Sequence, residues 1–241
     1  MPISLIGFKY HCRERNSFSA RFARSCGGCM KIYSYIVTHD TGFAPNPFWG
    51  YCTIACCKPS IRRSATKGDW IVGLAPKKHG HRVVFFMRVD EILTFDQYWR
   101  DKRFRRKRPK RGSVIFRRGD NIYQPLPSAQ ARPMVDRYRQ LSSMHSNKDK
   151  EDTKEKKHDL SGVNVLISKR FAYFGSKAQP LPRELEPLKV ARGHRILKEE
   201  EHVDLFHFFT RWRSKWSGRH GAPSKWPKDD QSCESGLVKC A

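Results

Sequence analysis

Residues 67–93 read KGDWIVGLAPKKHGHRVVFFMRVDEIL, and this stretch decides the fold class. Lys67-Gly68-Asp69 is a turn signal, and Trp70 to Leu74 follows as a run of apolar, largely β-forming residues. A second turn spans residues 76–81. Residues 82–93 then form the best strand candidate in the chain. Val83, Phe85, Met87 and Val89 are expected on one face and Val84, Phe86 and Arg88 on the other. Two strands joined by a short Gly/Lys/His turn predict a hairpin. Thr94 with Gln97 three residues later is a capping box, so a short helix is expected directly after the hairpin.

Outward from the hairpin, residues 31–38 (KIYSYIVT) read as a strand buried on both faces. Residues 43–51 (FAPNPFWGY) carry two Pro, an Asn and a Gly among their aromatics, which predicts an ordered loop. Residues 163–168 (VNVLIS) and 171–174 (FAYF) read as further strands. Residues 199–216 read as a helix, with Val203, Phe206, Phe209, Trp212 and Trp216 at helical spacing. Residues 142–157 are polar and predict a flexible insert. The expected class is α+β, built as a small, strongly curved sheet or a barrel with a few peripheral helices over residues 30–216. Residues 1–29 are expected to be a poorly ordered basic extension, with Met30 as an alternative natural start. Residues 217–241, rich in Gly, Pro, Ser, Lys and Asp, are expected to be a disordered tail.

The 241 residues carry 48 Lys or Arg against 23 Asp or Glu, a formal charge of +25. Such a surplus draws in polyanions, and nucleic acid is the first of these. No apolar run reaches the length of a membrane-spanning helix. Eight cysteines include an adjacent pair, Cys56-Cys57, and one C-x-x-C, Cys26 to Cys29, without a second ligand pair at zinc-finger spacing. This usage points to reduced thiols and a cytoplasmic setting. No metal and no cofactor is assigned. The phosphate-binding G-x-x-x-x-G-K-[ST], the dinucleotide G-x-G-x-x-G after a strand, the hydrolase G-x-S-x-G and the zinc-deaminase signature are all missing.

Several constellations carry candidate chemistry. His39-Asp40 ends the first strand, and His158-Asp159 repeats the pair. Both can supply acid–base groups. Phe43 and Trp49 can stack on a base or cap the core. Asp120 and Asn121 can bond a base edge, or they form a turn before the edge strand that holds Tyr123. Tyr173 and Phe174 complete the candidate base-binding set. Residues 100–118 hold eleven Lys or Arg and one acid. Arg105, Arg106, Lys107, Arg108, Lys110 and Arg111 are expected to track a phosphate backbone, and Arg192 with His194 to meet a phosphate.

At residues 30–59, 68–74, 119–126, 158–175 and 191–194 the sequence resembles the second nucleotide-modification-associated domain family, a prokaryotic and phage family. The resemblance implies an association with DNA base modification. The passage from Lys67 to Leu93 is also similar to the corresponding passage of PUA-like barrels of the EVE and ASCH types, which implies a small barrel with a nucleobase cleft.

Three functions are therefore expected in turn. The first is a nucleic-acid-associated protein of a DNA-modification or phage-defence system, holding a modified base or nucleotide in an aromatic cleft, with DNA favoured over RNA. The second is an enzyme that modifies a base or nucleotide through His39, Asp40, His158 and Asp159. The third is a basic structural protein bound to RNA or the ribosome.

Overall fold

A computed structural model of the chain describes residues 29–127, 132–141 and 150–226. In chain order, β1 is Lys31–Ile36, β2 is Cys52–Ile54, α1 is Pro59–Ser64 and β3 is Trp70–Leu74. β4 (Val83–Arg88), β5 (Glu91–Thr94) and α2 (Phe95–Arg100) follow. A 3-10 helix, Lys102–Lys107, precedes α3 (Val114–Arg117), β6 (Tyr123–Pro125) and β7 (Tyr138–Gln140). Then come α4 (Thr153–Leu160), β8 (Asn164–Ser168), β9 (Phe171–Tyr173), β10 (His194–Lys198), α5 (Val203–Arg213) and β11 (Gly218–Arg219).

Six strands form a mixed sheet in the order β10-β1-β3-β4-β9-β11. β1 pairs parallel with β3 and β9 pairs parallel with β11; the other pairings are antiparallel. The expected hairpin is present as β3 and β4, with Ile71 opposite Met87 and Val72 opposite Phe86. Its face assignment slips at one point. Register shifts between Gly73 and Leu74, because Phe85 opposes Gly73 while Val83 opposes Leu74. The bulge leaves Val84 as the extra residue and breaks strict alternation there. Gly73 is required at this place, since a Cβ would lie 2.1 Å from the Phe85 ring and 2.7 Å from Val37.

The single strand expected over residues 82–93 is two strands. β4 stays in the large sheet, and β5 crosses to a three-stranded sheet ordered β2-β8-β5. The break falls at Asp90, whose carboxylate accepts hydrogen bonds from the backbone N–H groups of Lys169 and Arg170 and from the Arg170 guanidinium. Likewise β8 and β9 lie in different sheets on either side of Lys169-Arg170. The capping box at Thr94 and Gln97 is formed in full.

The two sheets face each other across one core that includes Tyr35, Ile54, Ile61, Phe85, Met87 and Leu166. α5 covers the opposite face of the large sheet with Leu205, Phe206 and Phe209. Burying each such side chain contributes about 2 kcal/mol. Val165 and Ile167 alternate with Leu166 on β8 and face a third apolar layer with Phe95, Tyr98 and Phe104. The class is α+β. The large sheet stays open, with β10 and β11 at separate edges, so the described strands close no barrel.

The boundary expected at residue 217 is moved by the structure. β11 pairs with Ala172 and Tyr173, and Trp226 is buried with its indole N–H donating to the Thr41 carbonyl at 2.7 Å. Residues 218–226 are thus packed parts of the fold. The rest of the expected tail, residues 1–28 of the expected extension and residues 142–149 of the expected insert lie outside the described residues. The end of that insert is α4, capped by the Asp152 carboxylate on the Glu155 N–H.

Candidate functional site

A cleft of about 510 Å³ opens at the carboxyl end of β1. Strand ends are where open sheets leave crevices for ligands. Tyr35, Val37 and Ile61 give it apolar walls, and Phe43 and Ala44 enter from the Pro-rich loop. Cys57 and Lys58 border it from the turn between β2 and α1, and Ser60 from α1. His39 lines it from the loop after β1, His158 from α4 and His194 from β10. Pairing of Tyr35 with His194 across β1 and β10 brings the last of these to the cleft.

The two His-Asp pairs are split in the same way. In each, the histidine is exposed on the cleft and the aspartate is buried. Asp40 accepts hydrogen bonds from the Tyr173 hydroxyl and, at 2.8 Å, from the Ser224 N–H. Burial raises its pKa, and these bonds act against the rise. Asp159 accepts from the Cys57 N–H at 2.6 Å and from the Tyr123 hydroxyl at 2.8 Å. Neighbouring residues at a strand end or on a helix point in different directions, so adjacency in sequence does not bring a carboxylate to the site of its histidine. Asp40 and Asp159 are therefore anchors of the fold, a correction to their expected part in acid–base chemistry.

Most of the expected base-binding set is enclosed as well. Tyr173 and Phe174 are 0 % exposed and Tyr123 is 1 % exposed. Phe174 packs against Phe86, Trp216 and His220. These rings have no face left for a base. Asp120 is fully buried, accepting from Thr53 at 2.7 Å and Tyr98 at 2.8 Å. The Asn121 side-chain amide donates to the carbonyls of Tyr98 and Phe104. Trp49 is half-buried, stacks on Phe116 and lies apart from the residues that line the cleft. Of this set, Phe43 alone borders the cleft.

The basic segment divides similarly. Arg105, Arg106, Lys110, Arg111 and Arg192 are exposed, whereas Arg108 is half-buried with its guanidinium 3.8 Å over the Trp99 ring. Lys107 is 0 % exposed and is no phosphate ligand. Its ammonium donates to the Asn46 carbonyl at 2.9 Å, the Asn46 side chain at 2.5 Å and the Tyr51 carbonyl at 3.1 Å. Burial lowers its pKa to about 8, while the charge of Asp120 acts in the opposite sense. A buried charge survives when it is hydrogen-bonded and compensated, and Lys107 has both.

Sequence reasoning missed Tyr35, Cys57 and Lys58. Cys57 (φ 58°) and Lys58 (φ 43°) are both left-handed, a conformation that side chains other than glycine rarely adopt. The Lys58 ammonium stands 4.6 Å over the Tyr35 ring, a cation–π contact. Burial lowers the pKa of Lys58 and raises that of Tyr35. The visible signal was the adjacent Cys56-Cys57-Lys58 at a strand-to-helix turn. Among the described residues, no group of three or more His, Cys, Asp or Glu is placed to hold a metal ion. No helix among them is long and apolar enough to cross a membrane.

The described residues thus form an α+β fold with an open mixed sheet, a cleft at one strand end rimmed by imidazoles and an amine, and a separate exposed basic segment. The family described as nucleotide modification associated domain 2 matches residues 29–230, and the chain belongs to that family. No curated protein and no solved structure matches it significantly.

Proposed function

We propose that the cleft binds a nucleobase or nucleotide, in modified form in its natural setting, and that the protein serves a cytoplasmic DNA base-modification or phage-defence system. The observation that carries this reading is the meeting of Phe43, Lys58, His39, His158 and His194 around one cleft of about 510 Å³. That volume suits a nucleotide-sized ligand. The Phe43 ring offers an apolar contact, and the amine and imidazoles offer hydrogen bonds to phosphate or base edges. The PUA-like analogy enters only through this shared use of a cleft. The exposed arginines of residues 102–111 would hold a strand whose base enters the cleft, and DNA is the strand we favour.

Calorimetric titration of the full chain with deoxynucleoside monophosphates, with and without a C5-modified base, tests the reading. Binding is expected, weakened about tenfold in Lys58→Ala and in His194→Ala, the loss of roughly one charge-assisted hydrogen bond. Absence of binding, or binding indifferent to both variants, overturns it. A second reading, an enzyme acting on the bound base, is favoured by the three imidazoles on the cleft, of which His39 and His158 are the acid–base candidates.

A further inference from the structure

Trp70, Arg88 and Arg170 lie in one row across β3, β4 and the residue before β9. Trp70 is the register partner of Arg88, and the β4–β9 register, with Met87 opposite Phe171, sets Arg170 opposite Arg88. The Arg88 N–H donates to the Arg170 carbonyl at 3.0 Å. Directly opposed residues point to the same face of a sheet, with Cβ atoms about 5 Å apart. That face is the one α5 covers, since Trp70, Phe86 and Ala172 share an apolar cluster with Phe206 and Phe209. α5 ends there with Arg213, whose guanidinium stands 4.3 Å over the Trp70 ring. Three arginines therefore gather at one end of the large sheet.

Their partners do not balance them. Arg170 is paired with Asp90, its Nε donating at 2.9 Å. Arg88 makes one long side-chain hydrogen bond, from its Nε to the Gly68 carbonyl at 3.4 Å. Neither Arg88 nor Arg213 is ion-paired among the described residues. Burial lowers the pKa of Arg213, and the charges of Arg88 and Arg170 lower it further. The carboxyl end of a helix favours a cation, which accounts for Arg213. It does not account for Arg88 and Arg170, which the sheet supplies.

The charge continues beyond the row. Lys169 is exposed beside Arg170, with its ammonium 5.6 Å over the Tyr51 ring, and Arg103 stands over the same ring at 5.9 Å. Arg103 is ion-paired with Glu91 and Asp101, so the free charge on this path comes from Lys169 and, past Arg103, from the exposed Arg105 and Arg106. A cationic row that runs on toward a basic segment fits a chain of phosphates better than a single one. Guanidinium suits that partner, because its N–H fork meets phosphate oxygens in pairs.

We infer that Arg88, Arg170 and Arg213 form a second anion site, which holds backbone phosphates of a nucleic-acid strand at the end of the sheet away from the cleft. The row lies level with Ile32 at the start of β1, whereas the cleft opens at the other end, about 13 Å further along the strand. The site extends the strand contact proposed above for residues 102–111 and is independent of what the cleft holds.

The experiment is fluorescence anisotropy of the full chain with a labelled single-stranded oligodeoxythymidylate at several salt concentrations. In the double variant Arg88→Gln with Arg213→Gln, the slope of log affinity against log salt is expected to fall by about 1.4, roughly 0.7 for each lost contact, with affinity near 0.1 M salt down on the order of tenfold. The double variant Arg88→Lys with Arg213→Lys keeps both charges and is expected to keep the slope. An unchanged slope in the Gln variant overturns the inference, as does a wild type that binds no strand. A Lys variant that loses as much slope as the Gln variant shows a packing role for these arginines and overturns it too. Where the Gln variant does not fold, Arg170→Gln decides, because that side chain is exposed. A slope lowered by about 0.7 there supports the inference, and an unchanged slope overturns it. Inorganic pyrophosphate, titrated at fixed ionic strength, is expected to leave the strand bound. Displacement by micromolar pyrophosphate from wild type, lost in Arg170→Gln, assigns the site to a discrete phosphate ligand and overturns the strand assignment. Mononucleotide binding, measured by calorimetry, is expected to be equal in wild type and in the Gln variant. Its absence from wild type overturns the cleft reading alone, and its selective loss in the Gln variant overturns the separation of the two sites.

Discussion

The Asp159 carboxylate accepts a hydrogen bond from the Cys57 N–H at 2.6 Å, tying the end of α4 to the turn before α1 across 102 residues of sequence. His158 and Cys57 both line the cleft, so this one buried contact sets the separation of its two walls. The Tyr123 hydroxyl on the other carboxylate oxygen adds β6 to the same anchor.

Replacing Asp159 by Ala leaves the Cys57 N–H and the Tyr123 hydroxyl without this acceptor in a buried region. A loss of roughly 2–4 kcal/mol is expected, because an unsatisfied buried group costs its full desolvation. Asp159→Asn keeps one acceptor oxygen and is expected to lose less. Urea denaturation checks both. Equal stability of wild type and Asp159→Ala would exclude the anchor role.

Lys107 makes the stability of the protein depend on pH on the alkaline side. Burial lowers its pKa from 10.5 to about 8 in the folded chain. Between those values the unfolded chain binds more protons than the folded one, so stability contributed by this group rises with pH. The rise across that interval is on the order of 3 kcal/mol. Lys107→Met is expected to flatten the pH profile from about 8 to 10.5. It is also expected to lower stability at pH 7, since the carbonyls of Asn46 and Tyr51 lose this donor. Denaturation midpoints across that pH range measure both effects.

The exposed arginines of the basic segment should act on nucleic acid through charge alone. Replacing Arg105, Arg106 and Arg111 by Gln is expected to reduce the slope of log affinity against log salt. The reduction is roughly 0.9 for each contacted phosphate on duplex DNA and about 0.7 on single strands. Nucleotide binding in the cleft should not change. Fluorescence anisotropy at several salt concentrations measures the slope, and a slope unchanged in the triple variant would remove this segment from the interface.

What the residues determined by themselves was local. Alternation from Trp70 to Met87 specified a hairpin, Thr94 and Gln97 specified a helix start, and the charge of +25 specified an electropositive chain. Ordered motifs from Met30 to His194 carried the family. Each of these depends on neighbours within a few residues, on summed charge or on motif order, and survives without knowledge of the fold. Tertiary structure alone decided which polar groups reach solvent. Lys107 looks like its neighbours Arg106 and Arg108 in sequence, yet it is enclosed because Asn46 and Tyr51, over fifty residues away, supply its acceptors. His39 and His158 reach the cleft while Asp40 and Asp159 turn inward, and Cys57 borders it while Cys56 does not. Facing at a turn is set by backbone direction and by distant partners, and neither is written in the identity of the residue.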